Sequence, residues 1–250
     1  MVPEEKQIIR RLMDLDNLAD TKYMVTYSDF LSVTEYSIFL QNKKEFRCET
    51  LTFSAIDNLE RQMVAFIPDA LTFNNNYPIT LLKIKYKNTK FAQKLSHKDI
   101  LGTIMGLSIE RRLVGDIFMS GDEFYVLVKN SISDLVIDEI HRIKRTEVVL
   151  EKCEIQDISI ERKVETHYGT IASNRLDCIV AECGHLSRGR SSDLIKEGLI
   201  FINGAQAFRN MQEIKEGDLL SIRRIGKFRV TSIGEVSKKG KIKLTYEKFC

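Results

Sequence analysis

The sequence predicts an α+β protein assembled from three small domains, and three observations carry that expectation. At 250 residues the chain exceeds the usual size of one hydrophobic core and can hold two or three. Between Ile79 and Leu150, strand and helix patterns succeed one another as β-α-β-β-α-β. From Asn174 onward, two short helical patterns give way to strands separated by tight-turn residues.

Residues 1–75 open with a helical spacing of Ile8, Ile9, Leu12, Met13 and Leu15, then run through mixed stretches at Phe46–Phe53 and Leu59–Ile67. They are expected to form an N-terminal α/β domain, and nothing in their chemistry assigns it a role. Asn74-Asn75-Asn76-Tyr77-Pro78 is a dense loop signal and marks a boundary. In Ile79–Tyr86, which opens the middle domain of residues 76–155, Leu82, Ile84 and Tyr86 alternate with Lys83 and Lys85, the period of a strand. Ser96 and Asp99 have capping-box spacing ahead of a helix that carries Ile100, Leu101 and Ile104 and ends near Gly106. Strands follow at Leu113–Met119 and Glu123–Lys129, joined by Ser120-Gly121-Asp122. Ser131 and Asp134 open a second helix burying Ile132, Leu135, Val136, Ile140 and Ile143, and Thr146–Leu150 is the last strand. This is the order of a ferredoxin-like, RRM-like domain. An RRM stacks bases on aromatic rings of its central strands. Phe124-Tyr125-Val126-Leu127-Val128 offers two rings without the basic-Gly-aromatic lead-in, so a core strand is the expected role.

In the C-terminal domain, residues 165–250, the residues Leu176, Ile179, Val180 and Cys183 fall at i, i+3, i+4 and i+7, which buries one helical face and leaves Arg175 outside it. Ser187 stands where a helix N-cap belongs, ahead of a helix that turns Leu194 and Ile195 inward and stops at Gly198. Arg188, Arg190, Ser191 and Ser192 cluster at the start of that helix. Free backbone N–H groups and the helix dipole favour an anion there, and guanidinium groups add bidentate donors. A phosphate is expected to dock. Leu199–Ile202 reads as a strand, Asn203-Gly204 as a tight turn, and Asp218–Arg223 as a further strand. Beyond it, Gly226–Val230 and Lys241–Tyr246 alternate, placing Lys241, Lys243 and Thr245 on one face and Ile242, Leu244 and Tyr246 on the other. The lysine face, taken with Arg223 and Lys227, either meets phosphate or is simply solvated. Removing one neutralised phosphate would reduce the salt dependence of binding by about 0.7–0.9 in slope.

The formal charge is only +3, but it is unevenly placed. Residues 171–250 hold 15 Lys or Arg against 9 Asp or Glu, a net +6, which leaves −3 on the first 170. Contact with a polyanion is expected in the C-terminal part. The five cysteines, Cys48, Cys153, Cys178, Cys183 and Cys250, are odd in number and contain no CxxC pair, which argues for a reducing compartment and against a disulfide framework. No signal peptide and no membrane-spanning apolar run is evident, so a cytoplasmic protein is expected.

Arg175-Leu176-Asp177, Leu186-Ser187-Arg188-Gly189-Arg190-Ser191, Leu194-Ile195-Lys196-Glu197-Gly198, Ile202-Asn203-Gly204 and Gly217-Asp218 together resemble the S4 domain, a small RNA-binding module. A second signature runs from Asp99 through Gly102, Gly106 and Glu110-Arg111-Arg112 to Val114-Gly115-Asp116-Ile117. With the S4-like end, it resembles the YlmH-like RNA-binding proteins of Gram-positive bacteria over essentially the whole chain. That resemblance implies a non-enzymatic factor that binds the rRNA of the large ribosomal subunit. It especially implies a subunit left holding peptidyl-tRNA after a stalled ribosome splits, with other rescue factors as partners. No cofactor and no membrane are implied, and a monomer is expected. Arg175, Ser187, Arg188 and Ser191 occupy the S4 positions expected to touch rRNA or tRNA backbone. Arg190, Asp193 and Lys196 are added on physical grounds, with Asp193 either near RNA or orienting a neighbouring arginine.

Two other readings compete. An S4-delivered RNA-modifying enzyme, such as a pseudouridine synthase, would need a catalytic Asp in a separate domain, whereas Asp177 lies at the start of the S4-like helix and reads as a surface or capping residue. A methyltransferase would need a glycine-rich loop that Gly102, Gly106 and Gly115 do not space, and no Walker-type lysine loop is present. A cell-division adaptor acting through proteins is the third option. Cys178, Cys183 and His185 are the nearest approach to a metal cluster, but Cys178 and Cys183 would stand about 140° apart around a helix, and zinc sites favour paired close spacings. No metal is expected. His97, His141 and His167 have no motif context for nucleophilic catalysis.

Overall fold

The computed structural model describes residues 3–56, 59–69, 71–88, 92–121, 123–155, 164–236 and 240–249. Asp122 of the expected strand connection and Cys250 lie outside them. The chain divides into two compact units, residues 1–161 and 162–250.

The first unit begins with α1 (Pro3–Lys22), which has proline at its first position, where no intrahelical N–H bond is lost, and Glu4 and Glu5 in its first turn and Lys22 in its last, favourable for the helix dipole. β1 (Thr26–Tyr27), α2 (Val33–Gln41), β2 (Glu49–Thr52) and β3 (Val64–Ile67) follow, and the strands form an antiparallel sheet in the order β1-β3-β2. Buried Asp16 of α1 accepts the backbone N–H groups of Arg47 (3.0 Å) and Cys48 (2.9 Å), which fixes the entry to β2. One face of this sheet packs Val64 and Phe66 under Leu12, Ala19 and Phe39 of the helices.

The middle succession is β4 (Ile79–Tyr86), α3 (His97–Gly106), β5 (Val114–Ser120), β6 (Glu123–Lys129), α4 (Asn130–Glu139), the short β7 (Arg142–Ile143) and β8 (Thr146–Cys153). Its antiparallel sheet has the order β5-β6-β4-β8-β7. Ser96 and Asp99 cap α3 reciprocally: Ser96 N donates to Asp99 (2.9 Å) and Asp99 N to Ser96 Oγ (3.4 Å). The second helix departs from expectation. It begins at Asn130, directly after β6, with no side-chain cap at Ser131, because Asn130 N finds the Pro78 carbonyl at 3.0 Å. Leu135 is exposed and Ile143 belongs to β7, so the apolar stripe is Ile132, Val136 and Ile140.

One core crosses the Asn74–Pro78 segment. Phe30, Phe53, Met63, Ala65 and Ile67 pack with Tyr77, Leu81, Tyr125 and Leu127. Phe124 faces the opposite side, among Ile100, Ile104 and Val136. Both rings are buried, so neither is open to stack a base. The second sequence signature builds this joint. Gly115 lies against the Phe30 ring, Asp116 accepts the N–H groups of Glu60 (2.6 Å) and Arg61 (2.9 Å), and Arg112 reaches Asp29 at 2.9 Å. The half-buried lysines of β4 are matched across the sheet, Lys83 with Glu123 and Lys85 with Glu151, and exposed Lys87 just beyond the strand pairs with Glu147.

Lys144, followed by Ser96, holds the Asp99 carboxyl down to about 2. A depressed folded-state value contributes stability that is complete above the unfolded value, about 4, and is lost as pH falls through 2. The difference in Tm between wild type and Asp99→Asn should therefore be widest near neutrality and shrink between about pH 4 and pH 2. A difference independent of pH would contradict the assignment.

The second unit contains β9 (Val164–Ile171), α5 (Leu176–Cys183), α6 (Arg188–Lys196), β10 (Ile200–Ile202), β11 (Ala205–Gln206), β12 (Leu219–Ile222), β13 (Gly226–Val236) and β14 (Ile242–Phe249). Its antiparallel sheet has the order β11-β10-β12-β13-β14-β9. Asn203 and Gly204 both take positive φ, 50° and 84°, the tight turn that lets Ile202 pair with Ala205. α5 and α6 pack Leu176, Ile179, Val180, Cys183, Leu194 and Ile195 onto Phe228, Val230, Leu244 and Tyr246 of one sheet face.

Candidate nucleic-acid interface

The start of α6 is shaped by Ser187, whose Oγ accepts the Arg190 N–H at 3.2 Å and caps the helix as expected. Arg188 and Lys196 are exposed and have no ion-pair partner among the described residues. Arg190 is exposed and pairs with Glu197 at 3.2 Å, a solvated contact a phosphate could displace. Asp193 is exposed and pairs with no neighbouring arginine among the described residues, since Glu197 takes that role.

Two expectations change here. Ser191 is fully buried, and its hydroxyl donates to the Asp177 carbonyl at 2.8 Å, so it ties α6 to α5 and cannot touch RNA. Asp177 is buried rather than a surface residue. Its carboxylate grips Arg175 through two bonds, Nε to Oδ1 at 3.0 Å and Nη2 to Oδ2 at 2.9 Å. Arg175 is thereby held rigidly at the N-cap of α5, half-exposed, with its remaining donors available. The first N–H groups of α5 are already taken: Leu176 N donates to Gln212 O (2.8 Å) and Asp177 N to Asn210 O (3.2 Å). Of the two helix starts, α6 is the one left to meet an anion.

The other basic residues lie elsewhere. In β13 and β14, Lys227 and Lys243 alternate with buried Phe228 and Leu244, so they face away from the helix layer, with exposed Lys241 just ahead of β14. Arg223, past the end of β12, stands over the Phe201 ring at 5.2 Å. The sequence-predicted set therefore divides between two surfaces of the unit. Four exposed residues escaped the sequence reading: Phe208, Arg209 and Met211 in the loop after β11, and Arg224, whose φ is 69° in the turn after β12. Their segment has no hydrophobic period to mark it.

No three His, Cys, Asp or Glu side chains among the described residues converge as a metal site. Burial pushes the Cys183 thiol up to about 12 and that of Cys48 up to about 11, which suits inert core thiols. No helix among the described residues is long and apolar enough to cross a membrane.

The molecule is an α+β protein of antiparallel sheets, with a basic helix start displayed on its second unit. Residues 73–157 match the family model described as "Putative RNA-binding domain in YlmH". Over 247 residues, 98% of this chain and 95% of the relative, the sequence is 27% identical to ribosome-associated protein quality control protein P2 of Bacillus subtilis strain 168. The solved structure of cell division protein ylmH from Streptococcus pneumoniae is similar in fold, with a TM-score of 0.52 at 22% identity, covering 63% of this chain and 95% of that one. Together these likenesses support the YlmH-like family for this chain.

Proposed function

We propose that this protein is a non-enzymatic RNA-binding factor of the cytoplasm that associates with the large ribosomal subunit, and in particular with a subunit retaining peptidyl-tRNA after stalling. The observation that carries this is the near full-length likeness to a protein named for ribosome-associated quality control. In this reading residues 165–250 are an S4 domain, residues 76–155 a ferredoxin-like, RRM-like domain, and residues 1–75 an α/β domain to which no role is assigned. Arg175, Ser187, Arg188, Arg190 and Lys196 grip the sugar-phosphate backbone of rRNA or tRNA, and Arg223, Lys227, Lys241 and Lys243 supply long-range attraction from the far sheet face.

Three features support the assignment. The basic excess is concentrated in the last 80 residues. The α6 start combines free N–H groups with a guanidinium, that of Arg188, which has no competing carboxylate among the described residues. The lysines of β4 and the rings of β6 are occupied within the fold, which moves the expected RNA contact to the C-terminal unit. Co-sedimentation with separated ribosomal subunits tests the proposal. The protein should pellet with large subunits and leave small subunits in a separate fraction. Equal recovery with both, or with neither, would overturn it.

A further inference from the structure

The loop between β11 and β12 carries an unusual surface: Phe208 is 61% and Met211 71% exposed, with exposed Arg209 between them. Exposed aromatic and thioether side chains three residues apart in one loop need a reason. The loop is firmly seated. Its carbonyls at Asn210 and Gln212 accept the first N–H groups of α5, and the Asn210 amide donates to Ser192 Oγ at 3.1 Å. Ser192 is one helical turn from Arg188, so the two share a face of α6. The anchored Asn210 thus holds the chain on either side of it, Arg209 and Met211, next to α6 one helical turn from Arg188. Neither arginine has an ion-pair partner among the described residues.

We infer that this loop and the start of α6 form a site for an unpaired nucleotide, with Phe208 and Met211 bearing on the base and Arg188 and Arg209 on the flanking phosphates. Cationic groups interleaved with an exposed ring match single-stranded RNA, whose bases are free to stack, better than a closed duplex, whose bases are hidden. Two unpaired guanidiniums are the complement of two phosphodiesters, which sets an RNA strand ahead of an apolar protein partner. This rests on the RNA-binding reading above and adds to it a preference for unpaired nucleotides.

The test compares an RNA hairpin carrying an unpaired loop with the same stem as a blunt duplex, by fluorescence anisotropy on the full chain. Wild type should favour the hairpin, and Phe208→Ala with Met211→Ala should reduce that preference by about tenfold while leaving duplex affinity and salt slope unchanged. Phe208→Tyr should retain it. Both side chains are largely exposed, so the double variant should keep its Tm. Equal, salt-sensitive binding of both RNAs by wild type would overturn this inference and leave the RNA-binding reading standing. A preference undiminished in the double variant would place the stacking elsewhere. Binding of neither RNA would remove both.

Discussion

Replacing Arg188 and Arg190 together by alanine should weaken binding to the large ribosomal subunit by on the order of a hundredfold, as expected from two charge-assisted hydrogen bonds of about 1.5 kcal/mol each. The salt dependence should fall as well, by about 0.7–0.9 in slope for each phosphate no longer neutralised. The fold should not suffer. Arg188 has no ion pair among the described residues, and the Arg190–Glu197 pair is solvent-exposed, a class of contact that contributes about 0–1 kcal/mol. The Ser187 cap uses the backbone N–H of residue 190, which alanine retains. An unchanged Tm with binding weakened to this extent would therefore locate the interface. Full-strength binding by the folded variant would remove α6 from it.

The second large effect concerns stability. A Cβ placed on Gly115 would stand 2.7 Å from the Phe30 ring and 2.9 Å from Leu127 Cβ, and both neighbours are buried at 1% exposure or less. Neither can yield without disturbing the core shared by β3, β4 and β6. Gly115→Val should cost about 3 kcal/mol, a fall in Tm on the order of 10 °C for a unit of this size. Gly102 offers the opposite case. It is exposed within α3 with nothing within 4 Å of an added Cβ, and Gly102→Ala should stabilise by about 0.5–1 kcal/mol. Thermal melts of the two variants would separate a packing requirement at Gly115 from a general sensitivity to glycine replacement.

Where local chemistry decides structure, the sequence was legible. The alternation in Ile79–Tyr86 and the apolar run in Glu123–Lys129 give the observed strands, the Ser96/Asp99 spacing gives an intact capping box, Ser187 caps α6, and Asn203-Gly204 makes its turn. Leu176, Ile179, Val180 and Cys183 are the buried face of α5 as their spacing requires. Tertiary decisions were less visible. β1 is only two residues long, too short for any period to register. The Asn74–Pro78 loop signal is real, yet the core passes across it because Tyr77 and Leu81 lie under Phe53 and Ala65.

At the candidate site, the N-cap and the exposed arginines could be read directly, since both follow from helix geometry. Ser191 could have been recognised as buried. It stands three and four residues before Leu194 and Ile195, on the inward face of α6, and a serine there needs an internal acceptor such as the Asp177 carbonyl. The Arg175–Asp177 clasp and the seating of Phe208–Gln212 on the helix starts depend on chain segments far apart in sequence, which no local spacing encodes.

The most direct test of the account is co-sedimentation of the purified protein with large ribosomal subunits across a salt series, with and without bound peptidyl-tRNA. Selective binding to the tRNA-bearing subunit, weakening linearly in log–log form as salt rises and lowered by on the order of a hundredfold in the Arg188→Ala, Arg190→Ala variant, is the predicted result. Binding that ignores both the tRNA and the salt, or affinity for free RNA with none for either form of the subunit, would contradict it.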